Sequence, residues 1–504
     1  MNLRLLLVAI AIINFILPLG LTPLFDLDEG AFSEATREML ESGNYITTYL
    51  DGSLRFDKPI LIYWLQAFSV KLFGLNEFAL RFPSAIAGLL WALAIYYFAK
   101  RAFNQKVAFW ATLFMLSSLQ INLIAKAAIA DSLLNLFIAT SIFSVWLYLD
   151  TQRKIYLYIS FALIALGTLT KGPVAIMVPL VSLFLYMLLK NRLKEFFKIV
   201  FNPIGILIFL LIAAPWYILE YQDQGQKFID GFFLKHNLQR FNTAFESHKG
   251  SYFYYIPVVI LGILPFTTIL VKTFSKIKSF FKSDLELFLL IWFIFVFIFF
   301  SFSGTKLPHY VIYGYSGLFI LMGIFASNYY KKYNFWLIFP VVLLLIILFA
   351  LPFLSTYIEP KNLYIKDILA GVDKSFGIKY LIFIIAALVI VVALLKIKLK
   401  LEYKSAIFAL TFSSLINFIV IPSYGNLVQQ PLKEAALYAK KHNLKVIRYG
   451  ITMPSFLVYL ESKSLKAKPT KGSVIITKSK SLKELGKYKV LYSKNGIYLV
   501  KLLD

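Results

Sequence analysis

Residues 25–59 read FDLDEGAFSEATREMLESGNYITTYLDGSLRFDKP, a polar stretch set between one apolar segment and a long apolar remainder. It carries Asp28, Glu29, Asp57 and Lys58 beside sequence that must lie in membrane, where unpaired charge is costly. Loops of this kind, held against a rigid scaffold, are where chemistry is usually placed.

The flanking sequence decides the class. The chain has 504 residues, of which 59% are hydrophobic and 17% aromatic, and a mean hydropathy of +0.73. Those values lie far outside the range of soluble domains and predict a mainly α, polytopic membrane protein. Apolar runs long enough to cross a bilayer recur about thirteen times. They fall at 3–24, 82–100, 106–124, 131–149, 155–169, 172–190, 204–220, 252–272, 285–303, 308–327, 334–353, 378–397 and 404–421. The pair divided by Lys171-Gly172-Pro173 reads either as two spans or as one broken helix. The first run lacks a small-residue cleavage pattern and reads as a retained anchor. With no cysteine, disulfides, thiolate catalysis and cysteine-ligated metals are excluded. No Rossmann or P-loop glycine pattern is present, so no nucleotide cofactor is expected.

Charge orients the spans. With a cytoplasmic N-terminus, the inner loops hold about 20 basic against about 5 acidic residues, while the outer loops nearly balance. Together with a basic tail this accounts for the net charge of +26 without nucleic acid. The loop 25–81, the Lys126–Asp131 segment, Lys171, the loop 221–251 and the Lys306–Tyr310 turn then share the outer, periplasmic face. So do His236, His248 and His309, three of the four histidines.

Within the first loop, Phe32, Ala35, Met39 and Leu40 form an apolar stripe that predicts a surface helix ended by Gly43, with Asp28 placed to cap it. Tyr45–Leu50 reads as extended, Asp51-Gly52 as a turn, and Ile60–Phe73 as a second surface helix. Past the last span the pattern changes. Lys433–His442 reads as helix, Lys445–Gly450 and Val474–Thr477 as strands, and Lys489–Ser493 with Gly496–Leu502 as a hairpin about Asn495-Gly496. This divides the chain into a membrane part, 1–422, and a small soluble α/β domain, 423–504, external by span parity.

Certain residues carry a family resemblance. They are Asp28-Glu29, Glu38-Met39-Leu40-Glu41-Ser42-Gly43, Phe56-Asp57-Lys58-Pro59, Tyr63-Trp64, Phe73-Gly74 and Arg81-Phe82-Pro83. Ala130-Asp131, Leu169-Thr170-Lys171-Gly172, His236-Asn237, Arg240-Phe241 and Lys306-Leu307-Pro308 with Tyr310 continue the series. In this order they resemble the GT-C fold glycosyltransferases, in the branch of the aminoarabinose transferases and the protein O-mannosyltransferase relatives. The resemblance implies transfer of a sugar from a polyprenyl (undecaprenyl) phosphate to lipid A, another envelope glycan or protein.

Such transfer needs an anion to orient or deprotonate the acceptor and cations to hold the departing phosphate. Asp28 is the expected acceptor-side carboxylate and Asp131 a second carboxylate of the same cavity; either is also placed to cap a helix. Lys58, Arg240 and Lys306 form the expected phosphate-binding set, with Lys171, Tyr310 and Glu29 beside it. No cofactor is required. The resemblance also implies a possible metal, zinc or another divalent ion, on Asp57 and His236, with His248 as fallback; an ordinary Asp57–His236 hydrogen bond is the alternative. Asp57 stands where that branch usually has glutamate, and Gly30, Ala31 and Phe32 replace its basic residue and tyrosine. The rival readings are a lipid-linked sugar transporter and a noncatalytic envelope protein. The polar residues gather in loops and no inverted repeat of broken helices is present, which argues against the first.

Overall fold

A computed structural model describes residues 3–239 and 250–503. Among these, eight helices are long and apolar enough to cross a membrane: Glu77–Ala102, Asp131–Thr151, Lys154–Lys171, Pro203–Gln224, Asp284–Phe302, Pro308–Tyr329, Phe335–Ser355 and Leu401–Val428. Leu3–Phe15, Val174–Leu189 and Ile378–Ala393 are shorter and equally apolar. Several begin at an asparagine whose side chain accepts from the first free backbone N–H groups. Asn76, Asn104, Asn202 and Asn334 do this for helices starting at Glu77, Gln105, Pro203 and Phe335.

The 155–190 stretch is two helices. Gly172 breaks it at φ 75°, and a Cβ there would meet the Phe232 ring at 2.7 Å, so both the backbone angle and the space call for glycine. The expected span 106–124 is likewise interrupted, into Gln105–Ser117 and Leu119–Ile124. The expected span 252–272 is interrupted into Tyr255–Gly262 and Thr267–Phe274.

Apolar residues fill the interior and also cover the outside. Leu5, Leu207, Leu211, Ile382 and Val389 are exposed on helix surfaces, as lipid-facing residues are, while polar groups turn inward and pair. Trp91 donates to Ser316 Oγ at 2.7 Å, Trp292 to the Tyr313 carbonyl at 2.8 Å, and Tyr315 to Gln120 Oε1 at 2.7 Å. The helices Gln105–Ser117 and Tyr315–Tyr329 approach closely because Gly323 leaves room; a Cβ there would sit 2.9 Å from the Val107 carbonyl oxygen.

The first loop forms the helix Asp28–Ser42, the two-residue strands β1 (Tyr49–Leu50) and β2 (Ser53–Leu54) about Asp51-Gly52, and the helix Leu61–Phe73. The tail forms a four-stranded sheet from β3 (Val446–Arg448), β4 (Val474–Lys478), β5 (Tyr488–Lys494) and β6 (Ile497–Leu502), in the order β3-β4-β6-β5. Only β3 and β4 run parallel; β5 and β6 are the hairpin about Asn495-Gly496, both in the left-handed region. The last membrane helix continues to Val428 before the tail helix begins at Gln430.

One expectation is corrected. The Asp28–Ser42 helix does not lie as an amphipathic helix with its polar side in solvent. Ser33, Glu34, Arg37 and Glu38 are all buried, because the tail helix Ser455–Leu460 packs on this segment. Arg37 satisfies Glu34 through two hydrogen bonds of 2.7 and 2.8 Å, and Glu38 accepts from the Gly52 N–H. A helix pattern read alone assigns polar residues to water; here a second domain takes the place of water.

Candidate active site

The tail is clamped onto the first loop by three carboxylates. Asp26 accepts from the Ser455 N–H at 3.0 Å and from the Ser455 hydroxyl. Asp51 accepts from Arg448 at 2.7 Å and from the backbone and hydroxyl of Ser464 at 2.9 and 2.6 Å. Glu77 takes Lys433 and the Tyr459 hydroxyl, which in turn accepts from the Leu24 N–H. Burial pushes the Asp26 carboxyl up to about 7 against the pull of Ser455. Asp51 is held below the usual carboxylate range, because Ser464 and Arg448 outweigh its burial. The soluble domain and the loop 25–81 therefore lie on one side of the membrane.

Between them is a cavity of about 430 Å³. Asp28, Arg55, Asp57 and Lys58 come to it from the first loop, Asp131 and Lys171 from two membrane helices, and His309 and Tyr310 from the first turn of a third, Pro308–Tyr329. The tail closes the rim with Arg448, Thr452, Pro454 and Lys466. Carboxylate, cationic, imidazole and phenol side chains thus face one space at the helix ends.

On the floor, Lys171 Nζ donates to Asp131 Oδ1 at 2.7 Å with both side chains almost fully buried, and Tyr313 OH donates to the same oxygen at 3.0 Å. His309 Nε2 is 3.8 Å from it, and the Lys171 ammonium stands 5.6 Å from the centres of the Tyr310 and Tyr313 rings. Neither Asp28 nor Asp131 caps its helix; the preceding Leu27 and Ala130 hold the cap positions without side-chain bonds. The carboxylates at these helix starts are left for other partners. On the wall, Arg55 pairs with Asp57 at 3.0 Å and lies over the Phe32 ring, while Lys58 Nζ donates to the Asp57 carbonyl at 2.8 Å.

Two expected site residues sit elsewhere. Glu29 turns away from Asp28 into a buried bidentate pair with Arg81, at 2.7 and 2.8 Å, and accepts from the Phe25 and Ala128 N–H groups. Burial alone would raise its carboxyl; Arg81 and these donors hold it low. Lys306 is not among the cavity residues: its ammonium donates to the Ser303 carbonyl at 2.8 Å and lies over the Tyr252 ring. Arg240, His248 and the His236 side chain lie outside the described residues. Among the described residues no three His, Cys, Asp or Glu gather as a metal site; Asp57 pairs with Arg55, and the side chains of the histidines expected beside it lie outside those residues.

Sequence reasoning missed Arg55 and the tail's share. Arg55 was within reach, three residues before Lys58 in the same polar run. Arg448 and Lys466 carried no signal, since their nearness to the loop exists only after folding.

Residues 57–219 match the family described as dolichyl-phosphate-mannose-protein mannosyltransferase. The undecaprenyl phosphate-alpha-4-amino-4-deoxy-L-arabinose arabinosyl transferase of Aeromonas hydrophila is 33% identical over 336 residues, 64% of this chain and 61% of that one. That of Yersinia enterocolitica is 32% identical over 324 residues, 63% and 58% of the two chains. The matches thus span about three-fifths of the length of these curated relatives. The crystal structure of ArnT from Cupriavidus metallidurans bound to undecaprenyl phosphate superposes with a TM-score of 0.81 at 21% identity, covering 99% of this chain and 97% of that one. With the apolar helices, these relatives mark a multi-pass protein of the bacterial inner membrane. From first helix to terminal sheet, the chain has the ArnT-like GT-C fold.

Proposed function

We propose that the chain is a glycosyltransferase that moves a sugar from undecaprenyl phosphate to a lipid acceptor, lipid A or another envelope glycan, at the periplasmic face of the inner membrane. The observation that carries this reading is the meeting of Asp28, Lys58, Asp131, Lys171 and Tyr310 in one cavity at the membrane edge, from segments up to 282 residues apart in sequence. The similarity to aminoarabinose transferases supports the donor class.

The acceptor oxygen attacks the anomeric carbon as the bond from that carbon to the phosphate oxygen breaks. The bonding electrons leave on undecaprenyl phosphate, and Lys58 with Arg55 meets the charge that grows there. Asp28 takes the proton of a hydroxyl acceptor, or orients one that is already a phosphate anion. Asp131 fixes the Lys171 ammonium beside Tyr310, so the cation is in place before the donor arrives. Residues 1–422 form the transferring unit and 423–504 a periplasmic cover that supplies the far rim. Metal analysis of the purified protein tests for a divalent ion on Asp57 and His236.

The test is transfer of lipid-linked sugar in membranes containing Asp28→Asn or Lys58→Met, with mass spectrometry of lipid A and envelope glycans. Each variant is expected to lose about 100-fold or more in rate. A folded variant that transfers at the native rate removes the assignment.

A further inference from the structure

Asp28 and Glu29 are consecutive, yet they face different cavities. Asp28 lines the one described above; behind Glu29 lies a second, of about 360 Å³, between the end of the first helix and the last membrane helix. Its walls are almost wholly apolar, from Leu123, Val420, Ile421 and Tyr424, and Lys126 and Asn417 stand at its polar end. Leu123 is 44% and Tyr424 52% exposed, so the cavity opens on the apolar, lipid-facing surface.

At that polar end Arg81 and Glu29 form a closed pair, and Lys126 has only neutral hydrogen-bond partners among the described residues. Arg81 is matched by Glu29, and its remaining donors go to the carbonyls of Leu19, Thr22 and Pro23 and to the Thr22 hydroxyl. Glu29 is likewise saturated by Arg81 and two backbone N–H groups. Lys126 is buried beside this closed pair with three N–H donors. Among the described residues they find two acceptors, both neutral: the Asn122 carbonyl and Asn417 Oδ1, the latter at 2.6 Å. Asn417 is presented by a π-helical segment, Ile416–Val420, an irregularity in a membrane helix that is often found at a binding site. Burial and the nearby Arg81 push the Lys126 ammonium down to about 7, and an anion joining it at the end of this apolar cavity would hold its charged form.

We infer that this second cavity binds a lipid carrying an anionic phosphate head group, the phosphate on Lys126, which Asn417 holds in place, and the chain along Leu123, Val420 and Ile421. An anionic phospholipid of the bilayer and a phosphorylated isoprenoid share this chemistry. The site is separate from the Lys58 cavity and does not depend on the transferase reading.

Native mass spectrometry of the purified full-length protein in detergent tests it, with titrations of dioleoyl phosphatidylglycerol, undecaprenyl phosphate and zwitterionic dioleoyl phosphatidylcholine. Loss of a charge-assisted bond should weaken binding about tenfold or more in Lys126→Met. If phosphatidylglycerol is the occupant, its binding falls in Lys126→Met and is unchanged in Lys58→Met. If the isoprenoid phosphate occupies both cavities, the native protein binds two and each variant one. Either pattern upholds the site and names its source. Equal binding of both anionic lipids by native protein and folded Lys126→Met overturns it, as does native binding of phosphatidylcholine as tight as that of phosphatidylglycerol. Should Lys126→Met fail to fold, Val420→Phe, which fills the cavity and spares the lysine, decides: undiminished binding of both anionic lipids refutes the inference.

Discussion

Replacing Asp131 by asparagine keeps the side chain's shape and an oxygen for Tyr313, but leaves Lys171 without its counter-charge. The two side chains are 4% and 9% exposed, so water reaches neither well. Removing one partner of a buried pair costs about 3–5 kcal/mol, because the remaining charge is left uncompensated. For 504 residues, at about 2.1 cal/mol/K each, the unfolding entropy is about 1 kcal/mol/K, so the melting midpoint should fall by about 3–5 °C. Thermal unfolding in detergent, followed by tryptophan fluorescence, measures this. Lys171→Met should lose less, and the double variant Asp131→Asn, Lys171→Met should recover most of the midpoint, since no charge is then stranded. Stability without transfer in the double variant would assign the pair to the reaction. The reasoning is refuted if Asp131→Asn melts with the native protein, or if the double variant's loss equals the sum of the single losses.

Three other outcomes are expected. Arg55→Ala, which removes a cation from the cavity wall, should lower transfer about tenfold or more while the protein stays folded; native rates would show that Arg55 meets no charge in the reaction. Burial in the folded protein raises the Asp26 carboxyl from 3.8 to about 7 against the pull of Ser455 and Lys478, so the folded state with the tail in place favours its protonated form. That contribution is full below 3.8 and is lost as pH rises through 7, so protease cleavage of the tail should increase from pH 6 to pH 8, and Asp26→Asn should flatten the change. Glu29 and Lys478 also face Asp26, and Glu29, already ionised, leaves the direction unaltered. Because the chain has no cysteine, Lys471→Cys and Lys278→Cys each create a single thiol. A membrane-impermeant maleimide on spheroplasts should label the first and spare the second; the reverse pattern would invert the proposed orientation.

Composition and spacing determined that this is a helical membrane protein with polar loops and a small α/β tail, because a bilayer demands long apolar runs and hairpins demand turns such as Asn495-Gly496. The same reading put Asp28, Lys58, Asp131, Lys171 and Tyr310 on one face, since short-loop charge bias orients the spans. What it could not supply was which charges answer one another. Arg448 is 397 residues from Asp51, and Ser455 is 429 from Asp26. No local pattern encodes such pairings, which arise only when the tail packs on the first loop. The turning of Glu29 to Arg81, while its neighbour Asp28 faces the cavity, has the same origin. A helix sends consecutive side chains about 100° apart, and the surroundings that close around each decide whether a carboxylate is structural or free to act.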